Sequence, residues 1–264
     1  MDGSIFQGFR KWFINYVNLF NSEDSFISQN IKLKEEHSLR VYENASLISK
    51  SEKLDESEQY LAMTIALFHD IGRFEQFRKY RTFKDSESEN HALLGVRILK
   101  SANILSFLPS QEKEIIYAAI SYHNLKDLPE NLNKRCLFHS MLVRDADKLD
   151  IFKILDDYYK VKNTFPNPAL ESELPDIPEY SQYLIRDILS NKISSTVEAR
   201  TCNDLKLARL AWVFDMNFTE TLRLVLEKGY IDKTIAELPQ NKEIDEVHAH
   251  LKNYMYSALS GSVE

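Results

Sequence analysis

The stretch LAMTIALFHDIGR, residues 61–73, decides the fold. From Leu61 to Phe68 only Thr64 interrupts an apolar run, and a helix with so little polar surface belongs in a core. His69 and Asp70 follow directly, and Gly72 is the expected C-terminal stop. An imidazole and a carboxylate at the buried end of a central helix cost several kcal/mol unless something compensates them. A metal ion compensates both at once. On this stretch alone a structural His–Asp hydrogen bond stays open as the alternative.

Other positions repeat the intrusion. In the helix expected over 26–50, His37 continues the apolar stripe Val41, Ala45 and Ile48, as a core histidine or a ligand, with Arg40 one turn on. Asn90 reads as an N-cap, and the helix it opens carries His91 on the face of Leu94, Gly95 and Ile98. Gly95 weakens a helix, so its expected purpose is close approach of another backbone. The stripe Ile116, Ala119, Ile120 ends on His123. A long helix over 134–155 puts Asp147 in line with Val143 and Ile154, with Asp145 pointing elsewhere, to solvent or an N–H donor. His139, His248 and His250 lack such partners and read as structural or exposed.

The rest of the chain is helical in pattern. An amphipathic helix over 4–20 presents Phe6, Phe9, Phe13, Tyr16, Val17 and Phe20 to the body. Residues 163–179 hold a cluster of prolines, as a lid or a boundary. Helical patterns return over 180–260, and the tail SALSGSVE reads as frayed. No alternating run is long enough for a sheet, so the expectation is an all-α, single domain of roughly ten helices.

Composition narrows the function. The 264 residues are 44% hydrophobic and 28% charged, with a net charge of −7, which argues against a polymeric nucleic-acid partner. A small nucleotide needs only a local positive pocket. Cys136 and Cys202 form no CxxC, which excludes a thiolate zinc site. No apolar run is long enough to span a membrane and no leader pattern is visible, so a cytoplasmic location is expected. The six glycines form no GxGxxG, P-loop or GxSxG.

His37, His69, Asp70, His91, His123 and Asp147 on successive helices are hard to satisfy by hydrogen bonds alone, and a metal centre satisfies them together. Six ligands exceed what one catalytic ion takes, whereas two ions bridged by Asp70 fit.

The order H…HD…H…H…D, with DADKLD at 145–150, resembles the HD-domain superfamily of metal-dependent phosphohydrolases over about residues 26–160. The resemblance implies that His37, His69, Asp70 and Asp147 bind a first divalent ion, with His91 (in NHALLG) and His123 (in YHN) binding a second. Mn2+ or Fe2+ suits the donors best, and Mg2+, Co2+, Ni2+ or Zn2+ remain open. HDIGRF followed by NHALLG is similar to a bacterial subgroup. The HD-GYP phosphodiesterases differ, with a second histidine where Asn124 stands and a GYP signature absent from 125–133. The implied activity is hydrolysis of a phosphate ester, of a nucleotide or similar small molecule, by a metal-activated hydroxide. Asp70 would orient that hydroxide, and Arg73 and Lys148 would grip phosphate, with Arg40 and Arg81 as further candidates. A homodimer is compatible with this reading. The alternatives are an HD-type diiron oxygenase with the same ligands and a non-catalytic metal- or nucleotide-binding sensor.

Overall fold

A computed structural model describes residues 1–261, so the last three residues of the tail read as frayed lie outside the described part. Twelve α-helices and three short 3-10 turns, with no strand among the described residues, make an all-α protein. No helix among them is long and apolar enough to cross a membrane. The chain packs as two compact units, Met1–Asp150 and a second beginning at Ile151.

The first unit contains α1 (Gly3–Asn18), α2 (Ser25–Ser51), α3 (Glu56–Phe68), α4 (Gly72–Tyr80), α5 (His91–Ser101), α6 (Ser110–Tyr122) and the first part of α7 (Lys134–Val161). The apolar run makes α3 central, packed against α1, α2 and α6. Phe6, Phe9, Phe13 and Val17 form the buried stripe of α1. Phe9 meets Phe68 edge to face at 5.6 Å between centroids, an arrangement worth about 0.5–1.5 kcal/mol beyond area burial. Aspartates cap three of these helices: Asp2, Asp24 and Asp55 accept the first free N–H groups of α1, α2 and α3.

Gly72 has another role than the expected stop. Helix α3 ends at Phe68 with His69 in right-handed geometry, and Gly72 opens α4 with a φ outside the left-handed region. A Cβ at Gly72 would stand 2.2 Å from the His91 carbonyl oxygen and 2.8 Å from the Gly95 nitrogen. Gly95 answers it, with its own Cβ position 3.4 Å from the Gly72 nitrogen, which is the close backbone approach expected there. This glycine contact draws the start of α5, and with it His91, against the turn that carries Asp70.

In the second unit, α8 (Gln182–Leu189), α9 (Cys202–Leu210), α10 (Thr219–Glu227), α11 (Tyr230–Ala236) and α12 (Lys242–Leu259) follow the last turns of α7. Helix α12 packs against α8, α10 and α11. The proline-rich segment over 163–179 is fixed to α9. The Cys202 N–H donates to the Pro175 carbonyl at 3.0 Å, and the Asn203 amide donates to the Ile177 carbonyl at 2.8 Å.

Gly72→Ala should lower unfolding stability by roughly 1–3 kcal/mol or more, the range for overpacking a tight contact. Gly8→Ala, an exposed α1 position with nothing within 4 Å of the added carbon, should raise it by about 0.5–1 kcal/mol. Denaturant titration checks both, and a neutral Gly72→Ala would refute the close-approach role.

Candidate metal centre

His69, the residue that ends α3, projects into the first unit beside Asp70, and both are buried. Around them stand His37 from the middle of α2, His91 from the first turn of α5, His123 at the end of α6 and Asp147 from α7. The structure brings all six together. Three overlapping sets, His37–His69–Asp70, His69–His123–Asp147 and Asp70–His91–His123, each place their donor atoms within 4.8 Å of one another.

The imidazole orientations are fixed by their second nitrogen. His69 Nδ1 donates to the Ala66 carbonyl and His123 Nδ1 to the Ile120 carbonyl, each at 2.7 Å, three residues back in its own helix. His37 Nδ1 lies 2.7 Å from Asp150 Oδ2, and His91 Nδ1 2.8 Å from Asp85 Oδ2. With Nδ1 turned to an acceptor in every ring, Nε2 is the atom that would ligate a metal. His37 and His69 bring these atoms within 3.2 Å of each other, and His91 and His123 within 3.0 Å. Two nitrogens facing each other at that distance need a proton or a metal cation between them. A chord of about 3 Å is also what two ligands at about 2.1 Å from one ion subtend near a right angle. The donor set fits divalent metal.

Asp70 divides its carboxylate between the two histidine pairs. Its Oδ2 lies 3.5 Å from His37 Nε2 and 3.6 Å from His69 Nε2. Its Oδ1 lies 3.3 Å from His91 Nε2 and 3.7 Å from His123 Nε2. Asp147 Oδ1 joins the first pair, 3.1 Å from His37 Nε2 and 3.6 Å from His69 Nε2.

The electrostatics follow from this crowding. Burial alone would raise the Asp70 carboxyl, but Lys34, His69 and Arg73 hold it well below the usual carboxylate range. Burial acts on Asp147 in the same sense and is outweighed by hydrogen bonds from His37 and His69. Burial and the Arg73 cation push His91 down to about 3, which leaves it neutral. His37 moves the other way: burial and Lys34 oppose its charge, yet hydrogen bonds to Asp147, Asp150 and Asp70 raise it to about 10. A metal cation bound by His37 Nε2 and Asp147 would compete with a proton there.

The cations read from the sequence fall in different places. Arg73 reaches Asp70 Oδ1 through Nε at 3.3 Å, while its Nη1 serves Gln76, the Phe83 carbonyl and Asp85. Arg40 grips Asp150 with two nitrogens, at 2.6 and 3.1 Å, and so steadies the acceptor of His37. Lys148 is buried on α7 beside Asp147. Arg81 pairs with Asp24 at the start of α2. Asp145 is fully buried and not solvent-facing. His139, expected to be structural or exposed, is buried with Nε2 2.9 Å from Glu58 Oε2.

Three residues of this centre escaped the sequence reading. Lys34 Nζ lies 2.6 Å from Asp70 Oδ2. It sits three residues before His37 on one helix face, a spacing that could have revealed it. Asp150 likewise follows Asp147 by three. Asp85 comes from the polar segment between α4 and α5 and offered no periodic signal.

Comparison with known families agrees with this geometry. Residues 35–151 match the family model of the HD domain. The match supports the HD superfamily for this part of the chain, and it ends where the first compact unit ends. HD domains are typically metal-dependent hydrolases, and the buried His/Asp cluster of this chain fits a metal site. No curated protein and no solved structure matches the chain.

Glu58 offers a pH test of how the first unit closes. The hydrogen bond from His139, opposed by burial and joined by Arg135, lowers its carboxyl from 4.5 to about 2. Folding therefore favours the carboxylate, a stabilisation complete above about pH 4.5 and lost as pH falls towards 2. Glu58→Gln should be less stable than the parent at neutral pH, and the gap should close over that window in denaturant titrations. A gap constant with pH would refute it.

Proposed function

We propose that the HD domain of this protein is a metal-dependent phosphohydrolase that cleaves a phosphate ester of a nucleotide or a similar small molecule. The observation that carries the reading is Asp70, which turns one carboxylate oxygen to each of two histidine pairs. His37, His69, Asp70 and Asp147 would hold one divalent ion, and Asp70, His91 and His123 a second, with Mn2+ or Fe2+ best suited to mixed imidazole and carboxylate donors. Bound there, such ions supply Lewis acidity that neutralises phosphoryl charge and lowers the pKa of water.

The chain's own residues supply the rest. Asp70 holds both positions in register, and burial of the imidazoles keeps bulk water from competing for their lone pairs. Lys34 is the cation best placed for a phosphoryl oxygen. Its ammonium donates to Asp70 Oδ2 and lies 5.3 Å from the Phe83 ring centroid. Once Asp70 Oδ2 serves as a ligand, Lys34 faces incoming anionic charge as a point cation. Lys148, beside Asp147, is a second phosphate-binding candidate. Arg73 and Arg40, engaged with carboxylates, act by fixing Asp70, Asp85 and Asp150. Arg81, ion-paired on Asp24, is the weakest of these five cations.

Phosphate release from a nucleotide panel, with protein purified without oxygen and supplied with Mn2+ or Fe2+, tests the activity. Turnover should disappear in Asp70→Ala together with bound metal. Lys34→Met should keep its metal but raise KM about 10- to 100-fold, the worth of one charge-assisted hydrogen bond. A metal-loaded protein inert across the panel would overturn the hydrolase reading.

A further inference from the structure

The two halves of the centre are unequally built. The first offers His37, His69, Asp147 and one Asp70 oxygen, while the second offers His91, His123 and the other Asp70 oxygen. The second half thus has fewer donors, and the rings of that half are held differently. His123, like His69, is oriented by a carbonyl of its own helix three residues back, an acceptor that exists wherever the helix exists. His91 is the first residue of α5, so no helical carbonyl lies three residues behind it. Its Nδ1 depends on an acceptor from outside the helix, and Asp85 provides it, with Oδ1 and Oδ2 at 2.9 and 2.8 Å.

Asp85 is itself positioned by three side chains from two other places. Gln76 Nε2 donates to Oδ1 at 2.8 Å and Arg73 Nη1 to the same oxygen at 3.1 Å, both from α4. Asn124, just past the end of α6, donates to Oδ2 at 3.2 Å. One side chain on a short turn thus collects α4, α5 and the end of α6 around the second set of donors. Nothing comparable depends on it in the first set, where the partner of His37 is Asp150, braced by Arg40.

We infer that Asp85 is a positioning residue that determines whether this centre holds two ions or one, by fixing the His91 ring with Nε2 towards Asp70. The inference rests on the proposed two-ion phosphohydrolase reading. Removing the acceptor frees the His91 ring to rotate, so the second position loses one of three donors, while the first keeps all four. Loss of such an outer partner characteristically weakens metal affinity about 10- to 100-fold.

The test compares the full chain with Asp85→Leu and Asp85→Ala, neither of which can accept a hydrogen bond, each loaded with Mn2+, by metal analysis after desalting, titration calorimetry and electron paramagnetic resonance. The parent should bind two Mn2+ per chain with an exchange-coupled signal. Both variants should retain one ion at parental affinity, show an uncoupled signal, and bind the second at least about 10-fold more weakly. Asp85→Glu, which keeps a carboxylate acceptor, should recover part of the second-ion affinity. Thermal unfolding shows whether each variant is folded, and Asp85→Ala stands in if Asp85→Leu is not. Two tightly bound ions in both the parent and the folded variants would overturn the role of Asp85 and leave the phosphohydrolase reading intact. Loss of both ions together from a folded variant would do the same. A parent that binds one ion overturns the inference and the two-ion centre, and a parent that binds none overturns the phosphohydrolase reading as well.

Discussion

The carboxylate of Asp70 is the constraint on which the first unit depends. A buried carboxylate of this kind costs several kcal/mol unless charge or hydrogen bonds compensate it. Here Lys34 and Arg73 approach it from two sides, and histidines from α2, α5 and the ends of α3 and α6 present nitrogens to it. The arrangement needs the turn after α3 to sit against the start of α5. The contact between Gly72 and Gly95 permits this, because any side chain at Gly72 would strike the His91 backbone. A packing requirement between two glycines thereby sets the distance between a catalytic candidate and its fourth imidazole.

The surrounding charges sort into two roles by how completely they are engaged. Arg40 and Arg73 spend their guanidinium nitrogens on carboxylates and a carbonyl, in the multi-point geometry that suits arginine. They hold acceptors, and the acceptors in turn hold histidines: Arg40 through Asp150 to His37, Arg73 through Asp85 to His91. Lys34 has donors to spare beside Asp70, and its compact ammonium can change partner without dismantling a network. Orientation and anion binding are thus divided between the two residue types.

Much of this was legible in the sequence, and the misses have physical causes. The apolar run before His69 announced both a central helix and an imidazole that needed compensation. His91 and His123 were legible because each stands on an apolar stripe of its own helix. Gly95 was legible as a close approach, but its partner was not, since pairing Gly72 with Gly95 is a fact of how two helices cross. Gly72 next to a helix end carries the same signal as a C-terminal stop, and α4 beginning at that residue overrode it. Asp85 lies among several acidic residues in a polar, aperiodic segment, and only the folded position of His91 singles it out. Lys34 and Asp150 were recoverable from i, i+3 spacing to His37 and Asp147, had ligand neighbours been sought in both directions along each helix.

X-ray absorption at the metal edge of the Mn2+- or Fe2+-loaded protein tests the central claim most directly, because it reports both the donors and the neighbouring ion. The account predicts a first shell of nitrogen and oxygen at about 2.0–2.2 Å with imidazole scattering, and a metal–metal vector of about 3.5–4 Å. Asp70→Ala should abolish both features. Metal bound without imidazole scattering, or bound equally well in Asp70→Ala, would contradict the account.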